Sequence, residues 1–172
     1  MIRKAEKKDL DAVEKSYTAL LVYEKQHGSN SNWILGAYPT RKTAEDAFSK
    51  GWLYVLDEGG QIRASMILNE VQLEEYKSIS WEFSAEDARV KVVHTLCIPP
   101  EFSGKGYGRQ MMEFAENEAK NDGFEVIRID TYAGNKPARS MYESLGFRYA
   151  GKLKTLFMGE IPEELVFYEK KI

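Results

Sequence analysis

The sequence predicts a mixed α/β domain on a central sheet, and three observations lead there. Short β-prone runs alternate with stretches whose apolar residues recur at helical spacing. Two consecutive β-prone runs flank Gly59-Gly60, as the arms of a hairpin would, which argues against a purely parallel sheet. A third run, Arg89 to Ile98, leads through a glycine-rich loop into a helical pattern. The 172 residues suffice for one domain with a substantial core. No Pro/Gly/Ser-rich linker, repeat or low-complexity tract marks a boundary, so residues 1–172 read as a single domain.

Taken in order, Ile2 to Ala5 is a short opening strand. Leu10, Val13, Tyr17, Leu20 and Leu21 follow helical spacing, and Gly28 ends that run. Pro39 and Thr40 start a second helix that stops at Gly51. "WLYVLDEGGQIRASMILNE" is the hairpin, since both glycines accept positive φ. Val71 to Ala88 is polar with scattered aromatics and reads as a long loop with a helical turn. After the strand Arg89–Ile98 come a turn (Pro99 to Ser103), the glycine loop, and a helix whose interior runs from Met111 to Lys120 and stops near Gly123. "EVIRIDTY" is a strand, "NKPARSMYESLGF" a short helix, and the tail from Arg148 holds two more strands.

A net charge of −3, with 24 basic and 27 acidic residues mixed along the chain, argues against non-specific nucleic-acid binding. The single cysteine, Cys97, allows no intramolecular disulfide. No run is long and apolar enough for a membrane span, and "MIRKAEKKDLDAV" lacks the apolar core of a secretory signal. The expectation is a cytoplasmic protein without a nucleic-acid or membrane partner.

The stretch "FSGKGYGRQMMEFAENEAK" sets Gly104, Gly106 and Gly108 against a helix start. The first N–H groups of a helix lack intrahelical partners, and the macrodipole adds positive potential there. Glycines let such groups converge and let phosphate oxygens approach, and Lys105 and Arg109 add charge. The physical reading is a phosphate or pyrophosphate site; the competing one is a tight turn that binds nothing. A Walker A loop would need Ser or Thr after Gly104-Lys105, and a dinucleotide fingerprint would need G-x-G-x-x-G. Neither fits, although Asp130 lies where a ribose-binding acid would.

The spacing Ser103-Gly104-Lys105-Gly106-Tyr107-Gly108 resembles the pyrophosphate loop of the GNAT superfamily of N-acetyltransferases, Arg/Gln-x-x-Gly-x-Gly/Ala. Ser103 stands where that family usually has Arg or Gln, so one contact to the cofactor is absent or replaced by Lys105. Downstream, Asn135, Ala138, Tyr142, Gly146 and Phe147 follow N-x-x-A-x-x-x-Y-x-x-x-G-F, which is similar to the segment after the family's fifth strand. With the β-rich tail, the resemblance covers nearly the whole chain. It implies the acyl-CoA N-acyltransferase fold: a mostly antiparallel sheet of six or seven strands, splayed between the fourth and fifth, flanked by about four helices.

The resemblance further implies acetyl-CoA as co-substrate, no metal, and direct attack of a primary amine on the thioester in a ternary complex. The backbone of Leu96, Cys97 and Ile98 would pair with the pantetheine. Ser103, Gly104, Lys105, Gly106, Tyr107, Gly108 and Arg109 would hold the pyrophosphate, with Asn135, Ala138 and Tyr142 lining the cofactor. The Leu96 N–H would bind the oxyanion and the Tyr142 hydroxyl would protonate the departing thiolate. His94 shares a strand face with Leu96 and is a base acting through water or a structural histidine. Glu82 is a second base candidate or an attractor of a cationic acceptor. The acceptor regions hold Trp33, Tyr38, Tyr76, Trp81, Glu82 and Phe157, which either recognise a small amine or peptide N-terminus or simply pack. The Cys97 side chain reads as core. The alternatives to an enzyme are a non-catalytic acyl-CoA-binding module of this fold and, less in keeping with the glycine spacing, a dinucleotide-binding domain. The chain would act as a monomer or homodimer.

Overall fold

The computed structural model describes residues 1–172. Its seven strands hydrogen-bond in the order β1-β2-β3-β4-β5-β7-β6: β1 Ile2–Lys4, β2 Leu53–Glu58, β3 Gln61–Asn69, β4 Val90–Cys97, β5 Val126–Tyr132, β6 Arg148–Phe157 and β7 Ile161–Lys171. Only β4 and β5 run parallel, so the sheet is mostly antiparallel. The helices are α1 Leu10–His27, α2 Arg41–Ser49, α3 Tyr107–Asn121 and α4 Lys136–Ser144. The backbone forms two compact units, each gathered from stretches that alternate along the chain, so no linker separates them.

The first unit comprises residues 1–29, 33–68 and 93–115. The helical spacing expected from the sequence places Leu10, Val13 and Tyr17 of α1 in a core with Ala44 and Ala47 of α2 and Val55 and Ile67 of the hairpin. Gly28, at φ 99°, ends α1, and Thr43 accepts a hydrogen bond from the Thr40 N–H at the start of α2. Gly59 and Gly60, at φ 63° and 82°, make the two-residue turn that the right-handed twist of paired strands favours. Arg3 of β1 bridges Asp9 at 2.7 Å and Asp57 at 2.8 Å.

The second unit comprises residues 30–32, 69–92 and 116–172. Here β7 pairs antiparallel with both β5 and β6. Tyr76, Val90, Val92, Val126, Leu165 and Phe167 form its core. The polar stretch 71–88 carries short 3₁₀ turns at Glu74–Ser78 and Asp87–Arg89 and is firmly held. The fully buried Glu169 carboxylate accepts from the Glu82 N–H at 2.8 Å and the Phe83 N–H at 3.3 Å, and pairs with Arg148 at 3.0 Å. Such pairing offsets the large cost of burying a carboxylate.

Candidate active site

The part of β4 that lies in the first unit shows the alternation expected of it: His94 and Leu96 are half-buried, while Val93, Thr95 and Cys97 are buried. Cys97 has no exposed surface and sits in the core cluster, so only its main chain is available to a ligand. Burial pushes its thiol pKa well up. Thr95 has φ 49°, a left-handed conformation that a β-branched residue in mid-strand rarely adopts. A residue of this kind interrupts the ladder and re-aims the neighbouring main chain. Its hydroxyl shares a 2.6 Å hydrogen bond with the Tyr38 hydroxyl, and Trp33 meets the Tyr38 ring edge-on at 5.9 Å. Trp33 and Tyr38 are thus brought together beside the strand.

Residues Ser103 to Gly106 are exposed. Gly104 and Gly106 lie at φ 73° and 82°, and a Cβ on either would meet nothing. Glycine is required here by conformation, and its side of the loop is left open. Gly108 lies inside α3 and needs no such conformation. The Gly106 carbonyl accepts from the Gln110 N–H, so α3 starts directly after the loop and its first N–H groups have no intrahelical acceptors. Lys105 lies 5.4 Å from the Phe102 ring centre, with its ammonium at the loop. The Tyr107 side chain is otherwise engaged, its hydroxyl donating to Glu58 at 2.9 Å.

In the second unit, Pro137 occupies the first turn of α4, and Asn135 caps it by accepting from the Ala138 N–H at 3.3 Å while donating to Thr131 at 3.1 Å. The Asn135 side chain therefore shapes the helix start. Tyr142 is 3% exposed, its ring against Phe147 and Tyr168, and its hydroxyl makes no hydrogen bond. Burial, then the charge of Asp130, raises its pKa far above the usual phenol value, so the hydroxyl keeps its proton at neutral pH.

Asp130, half-buried on β5, accepts a 2.7 Å hydrogen bond from Tyr76. Burial raises its pKa, the Tyr76 bond opposes that, and the charges of Glu163 and Glu75 add to it; the balance lies at about 6. Glu82 forms a 2.6 Å ion pair with Arg148, which occupies the carboxylate proposed as a base. Tyr76 and Trp81 serve the core: Trp81 donates to the Tyr76 carbonyl at 2.9 Å and lies 4.0 Å beneath the Arg128 guanidinium.

The GNAT acetyltransferase family model matches residues 17–147, which span the loop, both parallel strands and the Tyr142 helix. The chain belongs to the GNAT acetyltransferase family. An acetyltransferase of the GNAT family from Streptococcus agalactiae is 20% identical, with a TM-score of 0.82 over 100% of this chain and 95% of that one. An acetyltransferase of Salmonella typhimurium, solved with its cofactor acetyl-CoA, has a TM-score of 0.73 at 16% identity, over 99% of this chain and 92% of that one. The ribosomal protein bS18-alanine N-acetyltransferase of Salmonella typhimurium is 33% identical over 32% of this chain and 37% of its own length. The chain spans between 30% and 66% of the length of the curated relatives it matches.

Sequence reasoning passed over two residues whose settings in this GNAT chain are unusual, the left-handed Thr95 and the acid Asp130. Thr95 carried no signal, since nothing in a threonine announces a left-handed backbone. Asp130 did carry one, as an acid ending the apolar run "VIRID", but was weighed only as a ribose contact.

Proposed function

We propose that this chain is an acetyl-CoA-dependent N-acetyltransferase acting on a primary amine, with residues 1–172 working as one GNAT domain. The observation that carries the reading is Tyr142: a buried phenol that holds its proton and has no partner in the protein to receive it. Relatives named as N-acetyltransferases support an amine nitrogen as the acceptor atom.

The residues present fit the co-substrate. The exposed loop at Gly104 and Gly106, the N-terminus of α3 and Lys105 form a donor set suited to a diphosphate, whatever contact Ser103 leaves out. The main chain of Leu96, Cys97 and Ile98 would take the pantetheine amides. The Leu96 N–H, next to the Thr95 irregularity, would stabilise the oxyanion, a role for which a fixed donor suffers no reorganisation during reaction. Tyr142 would give its proton to the leaving thiolate.

Asp130 would take the proton from the attacking amine. A carboxylate poised at about 6 is ionised at neutral pH yet basic enough to accept a proton as the nitrogen acquires positive charge. His94 on β4 is the competing base. The test is thiol release from acetyl-CoA with a panel of primary amines. Turnover lost in Tyr142→Phe supports the assignment, whereas coenzyme binding without turnover on any amine would leave the binding-module reading.

A further inference from the structure

Within the first unit, Tyr38 is anchored by its own main chain. It closes a tight turn between α1 and α2: the Ile34 N–H donates to the Tyr38 carbonyl at 3.1 Å, and the Tyr38 N–H donates back to the Ile34 carbonyl at 3.0 Å. The half-buried ring meets Trp33 edge-on, which restricts it further. From this fixed base the hydroxyl crosses 57 residues of sequence to its 2.6 Å bond with Thr95. Thr95 is the residue of β4 with positive φ, and it is 7% exposed. A left-handed backbone is sterically unfavourable for a β-branched residue and persists only where surrounding contacts over-determine it. The peptide unit that follows Thr95 carries the Leu96 N–H, so the Thr95 dihedrals set the direction of that group. In a regular strand, successive N–H groups follow the repeating pattern of the ladder. The left-handed residue breaks that pattern just before Leu96.

Resting on the proposed transferase reading, we infer that Tyr38 is a positioning residue for the oxyanion donor: through the Thr95 hydroxyl it holds the left-handed turn in β4 and so aims the Leu96 N–H at the thioester carbonyl. In this role Tyr38 touches neither acceptor nor coenzyme. A donor stabilises a developing oxyanion best when its direction is fixed beforehand, and a hydroxyl pair anchored at one end by a closed turn supplies that fixity.

The experiment measures kcat and the KM values for acetyl-CoA and an accepted amine in the full chain and in Tyr38→Phe, Thr95→Val and the double variant. Each single substitution removes one hydroxyl at nearly constant shape. The expected result is a roughly tenfold loss of kcat in either variant with both KM values nearly unchanged, because a misaimed donor forfeits transition-state stabilisation alone. The double variant loses no more than either single one, since both act on the same bond. Thr95→Ser, which keeps the hydroxyl, restores most of what Thr95→Val loses. In a Thr95→Gly background the left-handed backbone needs no brace, so Tyr38→Phe then changes kcat by less than about twofold. Apart from turnover, the backbone chemical shifts of Thr95 should move toward extended values in Tyr38→Phe, and the Leu96 amide resonance should move with them. That movement sustains the brace even if the parent chain acetylates no amine, in which case the transferase reading alone fails. Thr95 shifts that stay in place in Tyr38→Phe overturn the inference. In an active enzyme, so does a raised amine KM with kcat preserved, or a loss from Tyr38→Phe that is equal in the threonine and glycine backgrounds.

Discussion

The Tyr76 hydroxyl donates to the Asp130 carboxylate across 2.7 Å, from a side chain that is itself 2% exposed. This bond is the largest influence that favours the charged form of Asp130 against burial and two neighbouring acids, with a backbone hydrogen bond adding less. Removing it, by Tyr76→Phe, is expected to move the acidic limb of the pH–rate profile upward by roughly one unit, the worth of a hydrogen bond to a charged group. If His94 were the base, that limb would stay in place.

Asp130→Asn is expected to lower kcat by about 10²–10³, within the usual range for a general base. It also has a stability signature. Because the folded pKa, about 6, exceeds that of an unfolded aspartate, the native state binds more protons between about pH 4 and pH 6. This group's contribution to stability therefore falls as pH rises through that window. Denaturant titrations of wild type and Asp130→Asn should diverge across it, with the variant gaining on the order of 2 kcal/mol by neutral pH. Parallel curves would sink the assignment.

Tyr142→Phe separates catalysis from folding. The hydroxyl has no hydrogen bond to lose, so the melting temperature should hold or rise slightly, while kcat falls by about 10² or more. The effect should be smallest with an acyl donor whose thiolate leaves without protonation. Undiminished turnover at every pH would remove the acid role.

At the loop, Gly104→Ala and Gly106→Ala introduce no clash but force alanine into a left-handed conformation, at a cost of about 1–2 kcal/mol each. The expected outcome is a raised KM for acetyl-CoA with little change in kcat at saturation. Lys105→Ala should raise the same KM and flatten its dependence on salt. Gly108→Ala, inside α3, should leave the backbone conformation unstrained and serves as the control for the other two.

Much of this was legible in the sequence, for local reasons. Apolar spacing at Leu10, Val13 and Tyr17, the two glycines of the hairpin, and Pro137 and Gly146 at the ends of α4 each express a short-range constraint, and each element formed where expected. The roles of Tyr76, Trp81 and Glu82 were not legible, because an aromatic or acid in a polar stretch looks the same whether it faces a ligand or a core. What decided them was pairing across long separations, with Asp130, Phe167, Arg128 and Arg148. The motif positions at Asn135 and Tyr107 carried a mixed message, since their side chains hold the protein's own structure.

The placement of Cys97 has a practical side. As the chain's sole sulfhydryl, sealed from solvent and reluctant to ionise, it should stay silent toward the aromatic disulfides used to colour released coenzyme. Absorbance in such an assay then counts turnover alone, with no burst from the catalyst, until the fold opens. Late reactivity of this one sulfur accordingly becomes a built-in gauge of unfolding in the same cuvette.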